Sequence, residues 1–149
     1  MNVATSQGGN MELSNVKQVL GLKEKIRTHL DLVKLGGKGM SKGTVVRLAK
    51  HLSIGLKGIA PLLSLNQRTI QRLSSGKVFS RTVSERILRI ALVVARGEEV
   101  FGDRGRFNIW LKEPNKAMVD QTPLSLLASD FGIDMVLEEL GRIEHGIIS

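Results

Sequence analysis

One seven-residue run, Asn66-Gln67-Arg68-Thr69-Ile70-Gln71-Arg72, holds the residue types that read a nucleic-acid duplex. On a helix Ile70 points inward, while Gln67, Arg68, Gln71 and Arg72 fall on the outward side. Arg reads guanine and Gln reads adenine through paired hydrogen bonds in the major groove. Thr69, Lys77 and Arg81 are placed for phosphates, which fix register without reading sequence. Asn66 stands where the helix begins and can cap it.

The charge around this run agrees with that chemistry. Residues 32–84 hold ten bases and no Asp or Glu, in a chain of net charge +8 and pI about 10.2. Lys42, Arg47, Lys50 and Lys57 extend the expected phosphate footprint. Residues 111–149 reverse the balance, with three bases against seven acids. A chain polarised in this way is expected to do two binding jobs, one of them on an anionic polymer. No apolar run approaches the roughly 18 residues that a membrane span requires, and no signal-peptide pattern opens the chain.

Other chemistries lack their residues. There is no Cys and no Tyr, so thiolate metal sites and disulfides are excluded and a cytoplasmic location is expected. His29, His51 and His145 are far apart, and none has a second ligand at metal-site spacing. The Gly36-Gly37-Lys38-Gly39 cluster lacks the glycine spacing of a phosphate loop and the Ser or Thr that follows its lysine. Neither enzymatic activity nor a cofactor or metal is expected.

The elements that must position the reading helix are all helical. Aromatics are 3% of the chain, so the core has to come from Leu, Ile, Val, Ala and Met. Residues 1–10 are polar and glycine-bearing and read as disordered. Ser14 can cap a short segment with Val16, Val19 and Leu20. Residues 22–35 read as a helix with Ile26, Leu30 and Val33 on its apolar face, ended by Gly36, Gly37 and Gly39. Ser41 caps a helix through Leu52. Residues 56–63 and 67–74 form two short helices, and Pro61 implies that the first starts late. Thr82-Val83-Ser84-Glu85 has the form of a capping box for a helix that stops at Gly97. Asp103 caps a helix through Trp110 and Leu111, and Thr122-Pro123 opens another. The last helix carries Ile133, Val136, Leu137, Leu140 and Ile143. The expected division is a disordered 1–13, a DNA-binding 14–96 and a C-terminal 97–149.

Within 56–74 the spacing is that of a helix-turn-helix. Ala60 is the small residue at the crossing, and Ile70 and Leu73 form the inner face of the second helix. The turn position, four residues after the alanine, is Ser64, where glycine is usual.

From about residue 43 onward an ordered series of motifs carries a resemblance. Asn66 to Arg72 looks like a recognition segment of the form s-x-r-T-l-x-R, and Ser84-Glu85-Arg86-Ile87-Leu88-Arg89 is similar to an s-e-r-l-x-R helix. Val100-Phe101-Gly102-Asp103, Trp110-Leu111-Lys112-Glu113-Pro114-Asn115, Thr122-Pro123-Leu124-Ser125-Leu126-Leu127 and Leu140-Gly141-Arg142-Ile143-Glu144-His145-Gly146 follow. Together they resemble antitoxins of the Xre/MbcA/ParS family, whose partner toxins carry a RES domain. The resemblance implies a bacterial type II antitoxin: an Xre-like helix-turn-helix bundle followed by a small helical toxin-binding domain. It further implies a toxin that consumes NAD and is suppressed by antitoxin binding. One departure stands out: where the family often has Leu-Gly-Gly, this chain has Met118-Val119-Asp120.

Trp110, Pro114 and Pro123 read as residues that shape the fold. The toxin-binding candidates are Arg142, Glu144, His145, Ile147 and Ile148, since exposed isoleucines often mark interfaces. Two readings remain open at this point. One is an antitoxin that binds a cognate RES-domain toxin and also its own operator DNA, as a homodimer or higher oligomer. The other is a stand-alone helix-turn-helix transcription regulator with a dimerisation tail.

Overall fold

The computed structural model describes the backbone of residues 3–146 and the side chains from residue 12 onward. Met1, Asn2 and residues 147–149 lie outside this description. The described residues form nine α-helices and no strand: α1 Val3–Leu20, α2 His29–Lys38, α3 Lys42–His51, α4 Leu56–Leu62, α5 Gln67–Arg72, α6 Arg81–Phe101, α7 Arg104–Lys112, α8 Pro123–Leu126 and α9 Asp130–Glu144.

Helix α6 is the axis of the molecule. Ile87, Leu88, Ile90, Ala91, Val93, Val94 and Ala95 are all buried, a broad apolar face that the surrounding helices cover, while its charged residues, Arg86, Arg89 and Arg96 among them, fall on the remaining side. Helices α1, α2, α3, α7 and α9 all pack on it. The expected capping box at Thr82 is not used. Ser80 is the cap, its hydroxyl accepting from Val83 N at 3.3 Å. Ser84 is buried instead, receiving Met40 N at 2.8 Å and donating to Phe79 O at 3.2 Å, so it fastens the chain that enters α3. Nor does α6 stop at Gly97. That residue is buried because the Phe107 ring lies where its Cβ would be, and the helix ends at Gly102 in the left-handed region, φ 67°.

The N-terminal segment differs most from expectation. Backbone helix begins at Val3 and runs through Ser14, so neither a disordered 1–10 nor a cap at Ser14 describes the described part of this segment. Leu13, Val16, Val19 and Leu20 anchor it by burial on the core. Residues 22–28 are not helical, and α2 starts after Thr28. A capping box fixes that start: the Thr28 side chain accepts from Asp31 N, and Asp31 accepts from Thr28 N. This register buries Leu32 and Leu35 and leaves Leu30 and Val33 exposed, reversing part of the expected face. Gly36 and Gly37 lie inside α2, where the Glu85 and Arg81 side chains pass close over them, and only Gly39 ends the helix.

Pro61 sits in the last turn of α4 and not in its opening turn. The helix is seven residues long, so the proline removes one backbone bond near an end that is already fraying into a turn.

A nucleic-acid interface and an anchored C-terminal unit

Helices α4 and α5 form the helix-turn-helix. Ala60 is buried at their crossing, and Ile70 is fully buried on the inner face of α5 with Leu73 half-buried beside it. Ser64 takes the turn position in the left-handed conformation, φ 56°. The geometry that glycine usually supplies is therefore kept, with a strained serine. Asn66 Oδ1 accepts from Thr69 N at 2.8 Å and from Thr69 Oγ1 at 2.9 Å, which caps α5 and commits the threonine hydroxyl to that cap.

The outward face of α5 is as the spacing predicts. Gln67, Arg68, Gln71 and Arg72 are exposed. Lys77 and Arg81 are exposed as well, although Arg81 leans over Gly37 and lies 3.7 Å from Glu85. Lys42 donates from Nζ to Gln71 O at 2.8 Å, so the start of α3 is tied to the end of α5. A capped helix with two exposed arginines and two exposed glutamines on one face, their side chains unpaired among the described residues, can enter a major groove.

The C-terminal unit is fixed to this bundle by polar contacts that sequence reasoning did not foresee. Helix α7 closes the carbonyl end of α3. Arg104 donates to Lys50 O at 2.5 Å, Asn108 to His51 O and Ser53 Oγ at 3.1 Å each, and Lys112 to Ser53 O at 3.0 Å. Cationic groups at a helix C-terminus are favoured by the helix dipole. Arg86 links the helix-turn-helix to the tail, donating to Leu62 O at 3.2 Å, to Ala128 O at 2.7 Å and to Asp130 Oδ1 at 3.2 Å. Arg89 holds Asp134 at 2.7 Å. Phe101, Phe107 and Trp110 cluster with centroids 5.5 to 6.1 Å apart where α6 meets α7, Phe107 stacked on Trp110 and Phe101 tilted against both.

The acidity of the tail is thus partly internal. Asp130, Asp134 and Glu144 all pair with arginines of α6. Glu144 is therefore an anchor in this structure: Arg96 holds it at 2.8 Å and Glu12 of α1 at 2.7 Å. Burial disfavours the Arg96 charge, but its bonds and charge pairing with Glu12 and Glu144 prevail and raise its pKa. Glu99 beside them has a buried oxygen with no partner among the described residues, and burial together with the Glu12 and Glu144 charges raises its pKa.

Of the remaining tail candidates, Arg142 is half-buried and lies 3.9 Å from both Glu138 and Glu139, while His145 is exposed just past the end of α9. Ile147 and Ile148 fall outside the described residues. Among the described residues of the tail the most exposed large apolar side chain is one that periodicity does not single out, Phe131 on α9, 86% exposed. Val119 and Asp120 both adopt left-handed conformations, φ 53° and 61°. These are the positions where the resembled family often has two glycines, and here Val119 and Asp120 take up left-handed backbone without them.

Among the described residues no helix is long and apolar enough to cross a membrane, and no group of three or more His, Cys, Asp or Glu could hold a metal ion.

Comparison with known proteins agrees with this two-part architecture. Residues 31–92 match the antitoxin Xre-like helix-turn-helix domain, and residues 96–146 match the antitoxin Xre/MbcA/ParS C-terminal toxin-binding domain. Antitoxin Xre of Photorhabdus laumondii is 28% identical over 134 residues, covering 89% of each chain. Antitoxin Xre of Yersinia enterocolitica is 36% identical over 90 residues, 60% of this chain and 58% of that one. Antitoxin Xre of Pseudomonas putida is 35% identical over 63 residues, 42% of this chain and 40% of that one. With both domains present in order on one helical framework, this chain belongs to the Xre/MbcA/ParS antitoxin family.

Proposed function

We propose that this chain neutralises a RES-domain toxin that consumes NAD, by direct binding through its C-terminal unit, and represses its own operon by binding operator DNA through α5. The observation that supports the DNA half is the exposed Gln67, Arg68, Gln71 and Arg72 face, capped by Asn66, inside a 53-residue stretch without a carboxylate, residues 32–84. One short helix reads only a few base pairs, so the active species on DNA is a dimer or higher oligomer on paired half-sites.

For the toxin half the support is the family match over residues 96–146 and the anchoring of α9. Glu144 ties the end of α9 to Arg96, so Arg142 and His145 sit at a fixed point on the molecule, and the proposed toxin contacts are these two with Ile147 and Ile148. In this proposal they cover the toxin's NAD cleft. Two buried isoleucines would contribute about 1.5–3 kcal/mol each.

Co-expression with the protein encoded beside it tests the whole reading. The two proteins should co-purify, and NAD in the cell should be preserved only when both are present. A variant lacking residues 147–149 should then lose suppression while keeping DNA binding. Full suppression by that variant would remove the terminal residues from the interface and move it to the broader surface of α9 around Phe131.

A further inference from the structure

We infer that a trough running from the end of α5, past the start of α3, to Lys23 in the α1–α2 loop is a second track for the phosphate backbone of bound DNA. The inference rests on the DNA-binding reading above and extends it to a segment that precedes the matched helix-turn-helix domain, which begins at residue 31.

Two clefts make up the trough. One lies between the start of α3 and the loop after α5, with Lys77 and Lys42 on its walls. The other lies between α3 and the loop that leaves α1, with Lys23 on its wall. They share Ser41, Gly43 and Arg47, so they adjoin along the start of α3. The bond from Lys42 to Gln71 O fixes one end of the trough at the recognition helix. Arg47 spans the middle. Its side chain lies directly over Gly21, where any Cβ would collide with it, and its Nη2 is 3.4 Å from Gln18 O. That contact holds the guanidinium in the trough instead of leaving it to sweep through solvent.

The remaining chemistry suits a backbone of phosphates. Much of the rest of the lining is serine and glycine, which let a sugar-phosphate chain approach closely. Glu24 is the one acid among the described lining residues, and its carboxylate is paired with Lys38, which holds its pKa below the usual range. Lys25 and Arg27 stand exposed farther along the same loop. The bases are strung along an open channel, not gathered round one enclosed point. A linear polyanion fits that arrangement, and a single small anion does not.

Salt dependence tests the track. The probe is a duplex recovered from a random pool by the full chain, and its affinity is measured between about 50 and 200 mM salt. In Lys23→Gln, Lys25→Gln the slope of log affinity against log salt should become shallower by about 1–2, as expected for the loss of one or two phosphate contacts at about 0.9 each. Preference for the selected duplex over a scrambled one should not change, and Lys23→Arg should keep the wild-type slope. Thermal melting checks that the exposed substitutions leave the fold intact. An unchanged slope in the double variant overturns the track while leaving the recognition helix standing. If the full chain selects no duplex at all, the DNA-binding reading falls and the track with it. A slope unchanged on DNA combined with loss of toxin binding would assign the trough to the protein partner and overturn it as well.

Discussion

Gly97 of α6 lies directly beneath the Phe107 ring of α7, with no room between them for a Cβ. Both residues are fully or nearly fully buried, and the ring is further confined by Phe101 and Trp110. Gly97→Ala should therefore destabilise the chain by about 1–3 kcal/mol, as overpacking does in a closed core. Chemical denaturation would read this as a lower midpoint with an unchanged slope. The double variant Gly97→Ala, Phe107→Leu should recover part of the loss. A single variant as stable as the parent would mean that α7 can slide away from α6.

The recognition face can be separated from stability. Arg68 and Arg72 are exposed and bond to nothing in the described protein, so replacing them should leave the melting temperature within experimental scatter. Arg68→Ala should cost on the order of 1–3 kcal/mol of specific operator affinity and relax the preference at one base pair. Toxin neutralisation should survive. Wild-type operator affinity in Arg68→Ala, Arg72→Ala would show that α5 does not enter the groove.

Two turns carry strain that glycine would relieve. Val119 is a β-branched residue in the left-handed region, 78% exposed, with ψ 47°. Left-handed backbone disfavours such a residue by roughly 1–2 kcal/mol. Val119→Gly should raise stability by about 1 kcal/mol, and Ser64→Gly by a smaller amount, since part of each gain is offset by glycine's unfolded-state entropy. Urea midpoints measure both. A drop in stability for Val119→Gly would indicate that the exposed side chain makes a stabilising contact absent from this structure.

Glu99 makes stability depend on pH in a defined direction. Its folded-state pKa is raised, chiefly by burial and then by the nearby Glu12 charge. A raised pKa means that the folded state is favoured while the group is protonated. That contribution is present below the ordinary carboxylate pKa and is lost as pH rises through the raised value. Glu99→Gln should therefore melt higher than the parent at neutral pH, and the gap should close on acidification. An equal gap at every pH would place the origin of the effect in packing instead of ionisation.

The recognition segment was legible because its determinants are local. The Asn66 cap, the inward Ile70 and the Ala60 crossing lie within eleven residues, and periodicity alone orients them. The ends of α6 were not legible. Gly97 reads as a stop by local rules, yet it is kept inside the helix by a ring ten positions further on. Similarly, Ser84 looks like part of a cap until Met40 arrives to bond it. Leu30 and Val33 fit a helical face, but the Thr28 cap rotates α2 so that Leu32 and Leu35 turn inward. The acids of the tail suggested a surface for a partner, and their arginine partners on α6 appear only once the fold brings the two together.

Helix α6 belongs to both halves of the molecule, since the helix-turn-helix match ends at residue 92 and the toxin-binding match begins at residue 96 within one unbroken helix, Arg81–Phe101. No recombination breakpoint near that junction leaves each half with a complete interior. With the roles proposed above for α5 and α9, a new pairing of DNA specificity with toxin specificity is easier to reach by point changes on those helices than by exchange of whole modules. A chimera joined at this boundary would inherit two incomplete cores, and its first requirement would be to re-match the faces of a single helix.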